Sequence, residues 1–266
     1  MESLKRRLSG GVPTLGTWIQ IGHPAVAEIL ASIGFDWIAV DCEHTDITTS
    51  QLTDLLRAMM GRNVVPLVRV RENQTMAIRQ SLDVGAMGVI VPLVDTAEQA
   101  AAAVAAAKFP PLGVRGFSFT RSNLYGADFQ RYAETANEET IVVVMIESQL
   151  AVENIEAIMS TPGVDGALIG PYDLSGSYGV TGQTSHPIVK DACATVARIC
   201  GEQGKAAGIH VVVPEEAGVQ AALEQGFTFV ALGMDDVFME TSARRTLRAA
   251  HDAVSRLNPP VKHRPR

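Results

Sequence analysis

The stretch TPGVDGALIGPYDLS, residues 161–175, decides the fold. Gly163 closes a segment of helical pattern, and the apolar run behind it, GALIG (166–170), has the length of a buried strand. That run leads into Pro171, Tyr172 and Asp173, so a carboxylate stands at the end of a strand that is otherwise apolar. Desolvating an unpaired charge is costly, and Asp173 therefore needs a partner from elsewhere in the chain.

The same Gly-then-strand pattern recurs in GFDWI, DVGAMGVI and EQGFTFVAL. Working outward, eight β-rich apolar runs emerge: 14–21, 35–41, 64–70, 88–93, 141–147, 166–170, 206–212 and 227–233. Helical periodicity fills the intervals at 25–33, 49–60, 76–84, 96–108, 152–160, 188–203, 215–225 and 236–257. Eight strands alternating with eight helices predict an α/β fold of the (β/α)8 TIM-barrel type. One domain over residues 1–257 is expected, with a disordered tail at 258–266. Residues 109–140, rich in Pro, Gly, aromatics and arginines, form a connection out of proportion to the others, and we expect it to cover the active face.

Composition narrows the function. A length of 266 residues, 47% of them apolar and 19% charged, suits one large core. The net charge of −7 argues against a nucleic-acid surface, and the basic clusters at 5–7 and 262–266 read as solvated termini. No apolar run approaches a membrane span, no secretory pattern follows Met1, and a cytoplasmic protein is expected. Cys42, Cys193 and Cys200 lack the spacing of a zinc site or a disulfide framework.

In such barrels the chemistry sits at the C-terminal ends of the strands. There the chain carries Asp41, Cys42, Glu43 and His44 after strand two, Arg69 and Arg71 on strand three, Glu147 on strand five, Asp173 after strand six and His210 on strand seven. Glu147 and Asp173, from adjacent strand ends, are expected to share a divalent cation at an oxygen-rich, partly open site. Asp173 before Leu174 and Ser175 also reads as a helix cap. Asp41 is placed to orient His44 as a general base, although a lone loop histidine reads more simply as a solvated one. Arg69 interrupts an apolar strand and needs an anion, from the protein or a substrate. Asp83, by spacing alone, is an ordinary surface acid. None of the five lysines ends a strand, so no Schiff base is expected and carbonyl chemistry would need a metal as electron sink. Strands seven and eight run into HVVVPEEAG and ALGMDD, which lack a Gly-rich phosphate nest.

The segments GTWIQ, FDWIAVDCEH, PLVRV, LDVGAMGVIVPLV, PPLGVRG, VVVMIES and GVDGALIGPYDLS together resemble the HpcH/HpaI aldolase family of metal-dependent class II pyruvate aldolases. The resemblance covers residues 15–249. It implies that Glu147 and Asp173 bind Mg2+, Mn2+ or Co2+ and that pyruvate chelates the cation. It further implies His44, supported by Asp41, as the base, Arg69 at the enolate oxygen and Asp83 tuning the His44 and Asp41 pair. Backbone N–H groups of Tyr172 and Asp173 would hold the pyruvate carboxylate in a pocket that includes Gly170 and Pro171 and is walled by Trp18. The implied partners are a 2-oxo acid and an aldehyde, with no nucleic acid and no membrane. The implied assembly is a homo-oligomer, a hexamer built as a trimer of dimers that exchange the last helix. Two departures stand out. Met145 replaces a glutamine frequent in the family, and His210 and Tyr172 stand where members carry Leu and Ala. A thioether donates no hydrogen bond, and the changed residues predict a different acceptor aldehyde. The resulting expectation is reversible cleavage of a 4-hydroxy-2-oxo acid. A metal-enolate reaction on another 2-oxo acid such as oxaloacetate is the alternative, and a non-catalytic binding protein is the third.

Overall fold

The computed structural model describes residues 2–257, and the predicted tail at 258–266 lies outside them. In chain order the elements are α1 (Leu4–Ser9), β1 (Thr14–Ile19), α2 (Pro24–Ala31), β2 (Trp37–Asp41), α3 (Thr49–Ala58), β3 (Val65–Arg69), α4 (Thr75–Asp83), β4 (Gly88–Val91) and α5 (Ala97–Ala107). There follow a 3-10 segment (Arg121–Gly126), α6 (Phe129–Glu139), β5 (Ile141–Ile146), α7 (Gln149–Glu153), α8 (Ile155–Met159), β6 (Gly166–Ile169) and α9 (Pro171–Ser177). The chain continues through α10 (Pro187–Glu202), β7 (Ala206–Val211), α11 (Glu216–Glu224), β8 (Phe229–Met234) and α12 (Asp235–Leu257). All eight strands form where the apolar runs place them, pair in parallel and close with β8 beside β1, giving a (β/α)8 barrel.

Alternate residues fill the lumen. Leu67, Ile90, Val143 and Phe229 stack inside, and the Trp37 ring lies on Phe229 at 4.0 Å. Gly16 makes room for that indole, since a Cβ there would sit 2.0 Å from the ring. The opposite alternation, Val40, Val68, Val89 and Val144, faces the helices.

Three expectations need correction. The basic cluster at residues 5–7 is no solvated end: α1 carries Leu4 and Leu8 into the inner core and plugs the N-terminal end of the barrel. Lys5 Nζ donates to the Thr140 carbonyl at 2.6 Å and pairs with Asp165 at 3.1 Å, while Arg7 pairs with Asp36. The helix expected at 152–160 is two short helices, α7 and α8, meeting at Asn154. The segment 109–140 is largely structured and does not cover the strand ends that carry the site. It leads from α5 to β5, so it lies at the opposite end, where Arg121 donates to the carbonyls of Val84 (2.8 Å) and Leu56 (3.3 Å).

Helix α12 is unusual for a barrel. From Met239 onward its residues are exposed, and Met239, Ala243, Leu247, Ala250 and Val254 recur at helical spacing along one side. On α2, Ile29 and nearby Ile33 are equally uncovered. No helix among the described residues is long and apolar enough to cross a membrane.

Candidate active site at the barrel mouth

The ends of β1, β2, β3, β5, β6 and β7 deliver polar groups to a cavity of about 620 Å3. Trp18, His44, Arg69, Met145, Glu147, Gly170, Pro171, Tyr172, Asp173 and His210 all line it. The inward phase of β1, β3, β5 and β7 explains Trp18, Arg69, Met145 and His210, because each stands two residues beyond an inner-core residue or glycine of its strand.

Asp41 is fully buried beneath this surface. Its Oδ1 accepts from Arg69 Nε at 2.9 Å, and its Oδ2 accepts from Arg69 Nη2 at 2.6 Å and Gln20 Nε2 at 2.8 Å. Burial opposes its ionisation, but the bonds and charge of Arg69, with Gln20 and the His44 backbone N–H, outweigh it and hold the carboxyl below its ordinary range. The expected orientation of the His44 ring by Asp41 is therefore not what forms. Asp41 meets His44 through the backbone N–H at 3.2 Å. Its two oxygens are already committed to a guanidinium, the stronger partner.

The carboxylate beside the His44 ring is Glu43, whose Oε2 lies 3.6 Å from Nε2, and the ring itself is 59% exposed at the rim. Glu43 Oε2 is buried without a hydrogen bond and sits 3.4 Å from Arg69 Nε. Burial raises its pKa; Arg69 opposes the rise, while Asp41 and Asp173 add to it.

Glu147 is 6% exposed, and its Oε2 accepts from the Leu93 N–H at 3.0 Å. Burial pushes its pKa up to about 7, with Glu43 and Asp173 contributing and the Leu93 N–H and Arg69 opposing. Gly170 is the cradle: a Cβ there would stand 2.9 Å from Glu147 Oε1. Asp173 lies in the first turn of α9, where the N–H groups of Tyr172 and Asp173 have no intrahelical acceptors. Among the described residues no group of three or more His, Cys, Asp or Glu side chains is arranged to hold a metal. The protein thus offers a pair of oxygen donors, one of them destabilised as a bare anion. That fits a hard divalent cation whose remaining positions go to water or substrate.

Asp83 is not brought to the mouth. It ends α4 at the opposite end of the barrel, 2.8 Å from Nη2 of the buried Arg115 and 3.5 Å from Arg79 Nε. Two groups carry no role in the sequence reasoning yet belong here. Gln20 follows β1 as a polar residue at a strand end and was findable by that rule. Glu43 stands two residues beyond Asp41 and continues the inward series Trp37, Ala39 and Asp41 of β2, so the two-residue alternation of the strand points to it as well.

Comparison with known proteins agrees with the barrel fold. Residues 14–240 match the family model described as HpcH/HpaI aldolase/citrate lyase. A hydroxypyruvate/pyruvate aldolase of Roseobacter denitrificans is 37% identical over 236 residues, covering 88% of this chain and 91% of that protein. A 5-keto-4-deoxy-D-glucarate aldolase of Klebsiella pneumoniae is 39% identical over 235 residues with the same coverages, 88% and 91%. The crystal structure of an HpcH/HpaI aldolase/citrate lyase family protein from Burkholderia cenocepacia superposes with a TM-score of 0.90 at 32% identity, covering 94% of this chain and all of that one.

Proposed function

The chain belongs to the HpcH/HpaI aldolase/citrate lyase family, and on that premise we propose that it is a divalent-metal-dependent class II aldolase. It is an aldehyde-lyase that reversibly cleaves a 4-hydroxy-2-oxo acid into pyruvate and an aldehyde. The observation that carries this is the buried Glu147 carboxylate cradled on Gly170 within the electrostatic reach of Asp173.

Glu147 and Asp173 would hold the cation, Mg2+, Mn2+ or Co2+ by the chemistry of two carboxylates. When bound, it supplies a Lewis acid that polarises the 2-keto group and balances the charge of the enolate. Arg69, fixed by Asp41 and lying over Trp18 with Cζ 4.9 Å from the ring centroid, presents its guanidinium to the enolate oxygen. The free N–H groups of Tyr172 and Asp173 hold the substrate carboxylate. His44 moves the proton between the 4-hydroxyl and water, its ring at the rim with the Glu43 carboxylate beside it at 3.6 Å. Trp18 and Met145 wall the site with apolar surface. Asp83 has no part in this scheme within one chain.

We further propose one domain over residues 1–257, a cytoplasmic setting in keeping with the acidic composition, and a homo-oligomer, a trimer of dimers, in which α12 crosses to the partner. The uncovered stripe of α12 and the uncovered Ile29 and Ile33 support that exchange. The functional test is cleavage of racemic 4-hydroxy-2-oxo acids with and without chelator, coupled to pyruvate detection. Metal-dependent pyruvate release is expected, and release that survives complete chelation would refute the class II assignment.

A further inference from the structure

His210 lines the cavity, yet the aldolase chemistry leaves it without a task. It extends the inward series Ala206, Gly208, His210 of β7, so its ring caps the inner core at the mouth and lines the cavity beside Trp18 and Arg69. Much of the surrounding inner wall is apolar: Trp18, Met145, Leu168 and Met234.

The ring is held in one protonation pattern by geometry. Nε2 lies 3.1 Å from the Gly233 carbonyl, and a carbonyl only accepts, so the ring proton is on Nε2. Gly233 keeps that carbonyl in place from a φ of +55°, and a Cβ there would stand 2.3 Å from the Phe238 ring. The Trp18 ring, 6.1 Å away at 54°, limits rotation on the other side. Nδ1 is left with a lone pair, takes no hydrogen bond from a described residue, and is not among the sealed polar atoms. Burial first, and then the charge of Arg69, keep the ring neutral, with its pKa pushed down to about 4 despite the Gly233 bond.

We propose that His210 is a specificity-determining residue that accepts a hydrogen bond from a substrate hydroxyl at or next to the carbons being joined. It thereby favours hydroxylated substrates over their deoxygenated isosteres. The inference rests on the aldolase function and names the substrate class of that same site. The hydroxyl has two possible sources, the aldehyde or the 2-oxo acid. A methyl group in its place would leave Nδ1 desolvated and unpaired, a loss of roughly tenfold in relative kcat/KM.

The test compares the Mn2+-loaded enzyme with His210→Leu and His210→Asn in two arms. In one, pyruvate adds to glycolaldehyde or to propionaldehyde. In the other, hydroxypyruvate or 2-oxobutyrate adds to glyoxylate. The ratio of kcat/KM for the hydroxylated and deoxygenated members is read within each protein, so losses of active enzyme cancel. The unaltered enzyme is expected to favour the hydroxylated member about tenfold in at least one arm. His210→Leu should bring that ratio near one, and His210→Asn, which keeps an acceptor oxygen, should retain part of it. The arm that moves identifies which substrate carries the hydroxyl. Ratios that are flat in the unaltered enzyme, or unmoved by His210→Leu, overturn the inference. Proton exchange at the pyruvate methyl in the unaltered enzyme separates the two levels. Exchange with unmoved ratios removes only the role of His210, and no exchange with any divalent metal removes the aldolase function and this inference together.

Discussion

Arg69 grips both oxygens of Asp41, through Nε at 2.9 Å and Nη2 at 2.6 Å, with the carboxylate fully buried. This pair sets the floor of the mouth, because it aims the guanidinium over Trp18 and leaves its outer edge for a substrate oxyanion. Removing one member of a buried pair strands the other, at a cost of about 3–5 kcal/mol. Asp41→Asn is therefore expected to lower stability by that order in urea unfolding and to depress kcat. Unchanged stability would mean that Arg69 finds its anion elsewhere.

Gly170→Ala probes the cradle. The backbone there, φ −99° and ψ 86°, is open to alanine, so any loss comes from the methyl pressing on Glu147 Oε1. We expect Mn2+ affinity, measured by calorimetry, to fall by about tenfold or more, on the scale seen when the support of a metal ligand is disturbed. Affinity equal to the unaltered protein would place the cation away from Glu147.

Glu147 gives the metal-free protein a pH signature. Its pKa is about 7 when folded against an ordinary 4.5, so between these values the folded chain holds a proton that the unfolded chain has lost. Its contribution to stability is therefore present at low pH and falls away as pH rises through about 7. His210 works in the opposite sense: with a pKa near 4 rather than 6.5, its folded form binds fewer protons and stability rises across that window. Lys108, buried near Lys5 and pushed from 10.5 to about 7, adds a rise above pH 7. Subtracting Glu147→Gln isolates the first effect. The Tm of the metal-free protein minus that of the variant should decline from pH 5 to 8, and saturating Mn2+ should flatten the decline. A constant difference would contradict the buried, metal-seeking carboxylate.

His44→Ala should reduce turnover by about a hundredfold or more while leaving Mn2+ binding intact, since the ring stands at the rim and not among the two oxygen donors. Glu43→Gln should reduce turnover less, because it removes the carboxylate 3.6 Å from the His44 ring while leaving the ring in place. Full activity in His44→Ala would take the proton transfer away from this residue.

Helix α12 offers a test of assembly. Placing charges on its stripe, Leu247→Glu with Val254→Glu, should yield a smaller particle in sedimentation than the unaltered protein. An unchanged particle would mean that the stripe is not an interface.

Much of this architecture is visible in the chain, because parallel strands buried on both faces read as short apolar runs such as IVVVMI and GALI. The strand-end rule then gathers His44, Arg69, Glu147, Asp173 and His210 without any structure, and Trp18 enters through the family resemblance. What it misses depends on side-chain competition and on which end of the barrel a loop occupies. DCEH spaces Asp41 to reach His44, yet Arg69 arrives from β3 and takes both oxygens. The aromatics and arginines of residues 109–140 look like an active-site cover, but they build their own stack, with Phe117 on Phe109 at 4.0 Å and Phe119 against Phe129 at 5.5 Å. A segment that leads from a helix to a strand belongs at the N-terminal end, and chain order alone carries that information. Leu4 and Leu8, four apart around the basic cluster, are the overlooked sign of the plug formed by α1.

The most direct measurement is proton exchange of the pyruvate methyl in D2O by NMR, with Mg2+ titrated against chelator and Asp173→Asn alongside. Exchange that appears with the metal, vanishes with chelator and is lost in Asp173→Asn is the predicted result, since enolate formation at the Glu147 and Asp173 pair needs nothing from the aldehyde. Exchange that ignores chelator, or that persists in Asp173→Asn, would contradict the proposed metal site and the class of reaction built on it.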